Sequence, residues 1–248
     1  MLSALRSVRG VTRSLRIYYG DPVRAARMDR LHAHFVKRGD LVFDVGAHVG
    51  DRVASFRRLG ARVVAVEPQP ALVAVLKLLY GFRHDVTIEA SAVGRCCGTA
   101  RLRVNPDNPT VSTVSDDFVA AARGAPGWEA QDWPTTMRVP LTTLDMLVEK
   151  HGVPSFIKID VEGFEAEVLA GLTVPVDALS FEFTTIQRAV ARACVAHCAA
   201  RGYARFNAAI GESQRFVQDE WLDAAAIARW LDALPPSANS GDIYAVRS

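Results

Sequence analysis

The chain has 248 residues, 29 of them basic and 27 acidic, a net charge of +2, and 50% hydrophobic composition. At roughly 150 residues per domain this is one large domain, or one domain with an appendage; wholesale disorder is excluded, and no apolar run reaches the roughly 18 residues that would span a bilayer. Near-neutral charge makes no case for nucleic acid, and four Cys, two of them the neighbours Cys96 and Cys97, make no disulfide scaffold, so a reducing cytoplasm is the expected compartment.

The first 34 residues read as a basic, helical N-terminal extension. Arg6, Arg9, Arg13 and Arg16 occur with no acid among the first twenty residues, and Arg24, Arg27 and Arg30 follow. A membrane-surface helix and a targeting segment are the alternatives, although the apolar stretch of a secretory signal is missing. His32 and His34 lie in this stretch and are expected at the surface.

From Gly39 the pattern becomes punctuated. Leu41-Val42-Phe43 is a short apolar strand ending on Asp44, a glycine-bearing turn follows, and the spacing predicts a helix over 51–59, stopped by Gly60. Arg62-Val63-Val64-Ala65-Val66 is a buried strand ending on Glu67. Pro68 and Pro70 open a second helix, and 86–90 forms a third strand. Strand, helix, strand, helix, strand within about fifty residues indicates parallel crossover units. Further strands are predicted at 156–160, 179–183, 203–206 and 243–246. Helices are predicted at 164–170, 186–201 and around 219–234, with Trp221 and Trp230 packing the last. The stretch 105–135, with Pro106, Pro109, Pro126 and Pro134, interrupts this rhythm between two short strands that could pair. It reads as an insertion over the site, within a domain spanning 35–248.

The turn Asp44-Val45-Gly46-Ala47-His48-Val49-Gly50 sits where open α/β sheets bind nucleotides, and Gly46 and Gly50 permit close approach of backbone to ligand. A dinucleotide fingerprint needs three glycines, and two of the three positions fail. A carboxylate at Asp44 disfavours a pyrophosphate and suits an amino-bearing ligand. Glu67 stands about twenty residues further on, the distance at which a carboxylate accepts hydrogen bonds from a ribose diol. Two such acids describe a nucleoside with an ammonium group and no phosphate, and S-adenosylmethionine fits. The plainer alternative makes Asp44 a helix cap and Glu67 a solvated strand end.

The strings Asp44–Gly50, Val66-Glu67-Pro68, 139–145 and Ile157-Lys158-Ile159-Asp160-Val161-Glu162-Gly163 together resemble the FkbM-type methyltransferase family over roughly residues 35–246. The resemblance implies an α/β class I methyltransferase fold: a Rossmann-like doubly wound sheet of seven strands, mostly parallel, with an antiparallel last strand. It also implies methyl transfer from S-adenosylmethionine, usually to a hydroxyl of a sugar or natural product. His48 stands where the family often has Asn. On this reading Asp44, Gly46, His48, Gly50, Glu67, Gln69, Ser91 and Ala92 hold the cofactor, and Ser112 either reaches the ligand or caps a turn.

Lys158 and Asp160 share one strand face, with Glu162 just beyond. Three readings stay open: a salt-bridged cluster; an acid/base set in which a carboxylate takes the hydroxyl proton; or Asp160 with Glu182 holding Mg²⁺. His48 is either a base or a backbone-positioning residue, and His151 reads as a helix-end cation. Cys194, His197 and Cys198 share a helix face but lack a fourth zinc ligand. Two rival functions are an NAD(P)-dependent oxidoreductase and a non-catalytic adenosyl-binding scaffold. Expected partners are a small-molecule or glycan hydroxyl acceptor and, weakly, a membrane surface.

Overall fold

A computed structural model describes residues 2–247; Met1 and Ser248, the ends of the two expected segments, lie outside the described residues. The chain begins with two helices, α1 (Leu2–Tyr19) and α2 (Pro22–His32). It then alternates: β1 (Leu41–Val45), α3 (Asp51–Arg58), β2 (Arg62–Val66), α4 (Pro70–Tyr80) and β3 (Val86–Glu89). A small subsheet follows, made of β4 (Ala92–Val93), β5 (Gly98–Val104) and β6 (Thr135–Thr142), with α5 (Asp116–Ala122) inside the β5–β6 connection. The remainder is α6 (Leu144–His151), β7 (Phe156–Ile159), α7 (Glu165–Ala170), β8 (Ala178–Thr184), α8 (Arg188–Ala200), β9 (Tyr203–Ile210), α9 (Ala224–Ala233) and β10 (Ser240–Arg247).

Seven strands form one sheet in the order β3-β2-β1-β7-β8-β10-β9, with β10 antiparallel to both neighbours and the pairs from β3 to β8 parallel. Central parallel strands are covered on both faces, which is why β1, β2 and β7 read as continuous apolar runs. Leu144 and Leu147 (α6), Val168 (α7), Cys194 (α8) and Leu231 (α9) bury one face, against Phe43, Ile157 and Phe181. Leu31 (α2), Val53 and Phe56 (α3) and Leu76 (α4) bury the other, against Val42, Val63 and Phe156. As the sequence suggested, β5 pairs with β6 antiparallel.

The N-terminal residues are integrated into this core. Met28, Leu31 and His32 are buried, and Arg24 pairs with Asp51 of α3 at 3.0 Å and with Glu212 at 2.6 Å. His32 is therefore not a surface residue. Its ring lies 4.4 Å from that of Phe56, and Nδ1 meets Ser55 Oγ at 2.9 Å. Burial drives its pKa well below the ordinary value, so it stays neutral. A count of basic neighbours could not show that α2 rests on α3. His34 is exposed, as expected.

Two C-terminal expectations also change. The Asp223 side chain accepts from Ala226 N at 2.7 Å, so α9 starts after Asp223 and not near 219. Trp221 thus precedes the helix and packs edge-on against Phe35 on the opposite face of the sheet, whereas Trp230 does meet Phe183. Helix α8 begins after a 3₁₀ turn at Thr185–Gln187, two residues later than periodicity indicated. His151 does end α6, but its Nε2 is spent on Glu89 at 2.8 Å. No helix among the described residues is long and apolar enough to cross a membrane.

Candidate active site

The segments leaving β1, β2, β3 and β7 open into one pocket of about 380 Å³ at the carboxyl edge of the sheet, within the roughly 300–1,000 Å³ usual for small-molecule sites. Asp44, Gly46, His48, Glu67, Gln69, Ser91, Ala92, Lys158, Asp160, Glu162 and Glu182 all line it. Gly50 does not; a Cβ there would lie 2.7 Å from the Tyr80 ring, so its glycine serves the turn beneath the pocket.

At one end, the turn after β1 is pinned to β2. Gly46 N and Ala47 N donate to Val66 O at 2.9 and 3.0 Å. Gly46 has φ +87°, and a Cβ on it would stand 1.8 Å from the Asp160 carbonyl oxygen, so only glycine lets β1 and β7 diverge here. Glu67 is buried, not a solvated strand end. Its Oε2 accepts from His48 N at 2.9 Å and its Oε1 from Gln69 N at 2.8 Å. Burial outweighs those donors and raises its pKa to about 7. Each oxygen keeps a lone pair for a ligand.

Asp44 caps nothing: α3 starts at Gly50 without a side-chain cap. Its Oδ2 is buried with no hydrogen-bond partner among the described residues, and burial, opposed by the Lys158 charge, lifts its pKa to about 7. An orphaned carboxylate oxygen facing a cavity calls for a donor from the ligand. Desolvation pushes His48 down to about 4, so its ring is a neutral contact, 5.3 Å from the Tyr18 ring and 3.4 Å from Thr110 Oγ1. The contact His48 makes with Glu67 is through its backbone N–H and not its ring.

At the other end, register explains the charges. Lys158 pairs with Asp44 on one side and Ser180 on the other, and Glu182 pairs with Asp242. Alternation then puts Lys158, Asp160, Glu182 and Asp242 on one face. Lys158 Nζ donates to Asp160 Oδ2 at 2.9 Å and Asp242 Oδ1 at 3.2 Å. Asp242 went unnoticed in the sequence, although it is the one charge in Asp242-Ile243-Tyr244-Ala245-Val246. Glu165 holds the turn from beneath, its Oε1 accepting from Val161 N and Gly163 N.

The 105–135 stretch forms a roof. Gln69 Nε2 donates to Pro109 O at 3.0 Å, Trp133 Nε1 to Val111 O at 2.7 Å, and Trp128 Nε1 to Asn239 Oδ1 at 3.2 Å. Ser112 lines the pocket while its Oγ accepts from Asn105 N. Helix α1 braces the roof: Arg6 pairs with Asp107, and Gly10 lies against Pro106 O, where a Cβ would come within 2.4 Å. Tyr18 therefore reaches the pocket from a segment that carried no sequence signal for it. Cys194 and Cys198 are buried free thiols, away from this site.

A sheet of this strand order, with its antiparallel strand inserted next to the edge, is the class I methyltransferase fold. The chain belongs to the methyltransferase FkbM domain family, whose pattern matches residues 44–233. It is 31% identical over 165 residues to the 31-O-demethyl-FK506 methyltransferase FkbM of Streptomyces tacrolimicus, a match covering 57% of this chain and 62% of that relative. Among solved structures, Aeropyrum pernix fibrillarin with S-adenosyl-L-methionine aligns at 14% identity and TM-score 0.45, over 86% of this chain and 68% of that one. Magnesium protoporphyrin IX methyltransferase from Synechocystis with bound SAM aligns at 12% and 0.45, over 96% and 84%.

Proposed function

We propose that the protein transfers a methyl group from S-adenosylmethionine to a hydroxyl oxygen of a sugar or natural product. The observation that carries this reading is the pairing of two buried carboxylates, Asp44 and Glu67, across the left-handed Gly46 turn in a single pocket. Glu67 has free lone pairs for a ribose diol, and Asp44 has an orphaned oxygen for an ammonium group. Gln69, Ser91 and Ala92 border the adenosine side. Family membership supports methyl transfer, and the name of the FkbM relative, which specifies a 31-O-demethyl substrate, supports an oxygen acceptor.

When bound, S-adenosylmethionine supplies a methyl group on a sulfonium that needs no further activation. The protein's work is alignment and removal of one proton. Asp160, at 29% side-chain exposure the accessible member of its ion pair, accepts the hydroxyl proton. Lys158 holds Asp160 in place, while Glu162 shapes the same wall.

Thermal-shift titration tests the reading. Stabilisation by S-adenosylhomocysteine and not by NAD⁺ is expected, and the reverse result selects an oxidoreductase. Tritium transfer from labelled S-adenosylmethionine into a panel of hydroxylated acceptors is then expected. Cofactor uptake with no transfer to any acceptor would leave a binding scaffold.

A further inference from the structure

We propose that Asp160, Glu162 and Glu182 form a binding site for a hard divalent cation at the acceptor end of the pocket. One carboxylate oxygen from each lies within 4.8 Å of the others. Among the described residues, no donor reaches the Glu162 carboxylate, although the residue is only 5% exposed and lines the pocket. One Glu182 oxygen is likewise sealed off without a partner. A buried carboxylate, Glu162, and a half-buried one, Glu182, that accept nothing from the described residues leave lone pairs aimed into the cavity. Glu165 is the contrast: equally buried, its Oε1 accepts from two backbone N–H groups.

Charge balance points the same way. Three carboxylates converge, and the nearest cation, Lys158, is already divided between Asp160 and Asp242. Oxygen-only ligands select Mg²⁺, Mn²⁺ or Ca²⁺ over Zn²⁺. With metal–oxygen distances of about 2.0–2.6 Å, oxygens on one ion lie no more than roughly 5 Å apart, a limit this cluster meets at 4.8 Å. Glu162, which sequence spacing had grouped with the acid/base pair, completes the Asp160–Glu182 set. If the methyltransferase reading holds, such an ion presents open coordination positions to the acceptor hydroxyl, and the inference about its role rests on that reading.

The test is Mn²⁺ titration of the full chain without cofactor, with free Mn²⁺ followed by electron paramagnetic resonance. One ion per chain is expected, and loss of about tenfold or more in affinity for Glu162→Gln and for Glu182→Gln, since the charge count sets affinity at such sites. S-adenosylhomocysteine affinity serves as the folding control and is expected to be unchanged in both variants. Absence of Mn²⁺ uptake by protein that still binds S-adenosylhomocysteine overturns the cation site alone, as does undiminished uptake by the double variant. Retained Mn²⁺ uptake with no S-adenosylhomocysteine binding supports the cation site and overturns the methyltransferase reading instead.

Discussion

The two ends of the pocket are built on different principles. Around Glu67 each carboxylate oxygen accepts one backbone N–H, from His48 and Gln69, and the turn itself is tied to Val66. Around Asp160 the carboxylates outnumber their donors, and Glu162 and Glu182 are left unserved. The first end is preorganised for one rigid ligand. The second is an electrostatic deficit that a ligand, a proton or a cation must offset. On the proposed reading, cofactor recognition is written into backbone geometry and acceptor chemistry into side-chain charge.

Gly46 joins the ends, and replacing it erases the contrast. Gly46→Ala places a Cβ 1.8 Å from the Asp160 carbonyl at a φ of +87°, so β1 and β7 must part. A loss of more than about 3 kcal/mol is expected, read as a lowered Tm together with loss of S-adenosylhomocysteine binding. A stable variant that still binds would show that the turn is not the hinge between the two ends.

Asp160→Asn separates them. Lys158 retains Asp242 at 3.2 Å, so the fold should persist with S-adenosylhomocysteine affinity unchanged. Turnover on an identified acceptor is expected to fall by about 100-fold or more, the usual scale for removing a general base. Full turnover in this variant would move the base elsewhere.

The proportion legible from sequence differs between the ends for the same reason that their construction does. Spacing of glycine and acid along the first two crossovers is local, so Asp44, Gly46 and Glu67 could be placed without knowing any long-range contact. The strand–helix alternation pointed to parallel crossovers, whereas the seven-stranded sheet with its antiparallel last strand was implied by the family resemblance alone. Asp242 meets Lys158 across 84 positions, and Tyr18 meets His48 only because α1 crosses the roof. Neither contact leaves a periodic trace. His32 failed for the converse reason: its neighbours are basic and polar, while the burying partners, Phe56 and Phe156, come from elsewhere in the chain.

Glu67 sharpens the cofactor end through pH. Its pKa of about 7 in the fold lies above the 4.5 of an ordinary glutamate. A raised carboxyl contributes stability below pH 4.5 that is lost as pH rises through 7, because the buried ionised form is disfavoured. Ligand hydroxyls, however, bind best to that ionised form. Melting temperature should therefore fall between pH 5 and pH 8 while S-adenosylhomocysteine binding tightens, by roughly tenfold from pH 6 to pH 8. Glu67→Gln should weaken binding by about tenfold or more at pH 8 and reduce both trends, while Asp44 and Glu165, each also raised to about 7, retain part of the melting trend. Calorimetry across this range checks both signs, and a pH-independent affinity would remove Glu67 from the ligand's contacts.

The smallest effect is expected at the roof. Trp128 donates its indole N–H to Asn239 Oδ1 at 3.2 Å, and both residues line the pocket near the carboxylate cluster. Trp128→Phe keeps the edge-to-face contact with Phe118, whose ring centroid lies 5.3 Å away, but deletes that donor. One neutral hydrogen bond is worth about 1 kcal/mol, so the acceptor KM should rise by roughly fivefold, with kcat and S-adenosylhomocysteine affinity unmoved. The split matters more than the size. A matching loss of cofactor affinity would mean that the roof is a single rigid body serving both ends, and that the division between backbone-built and charge-built halves stops at the floor of the pocket.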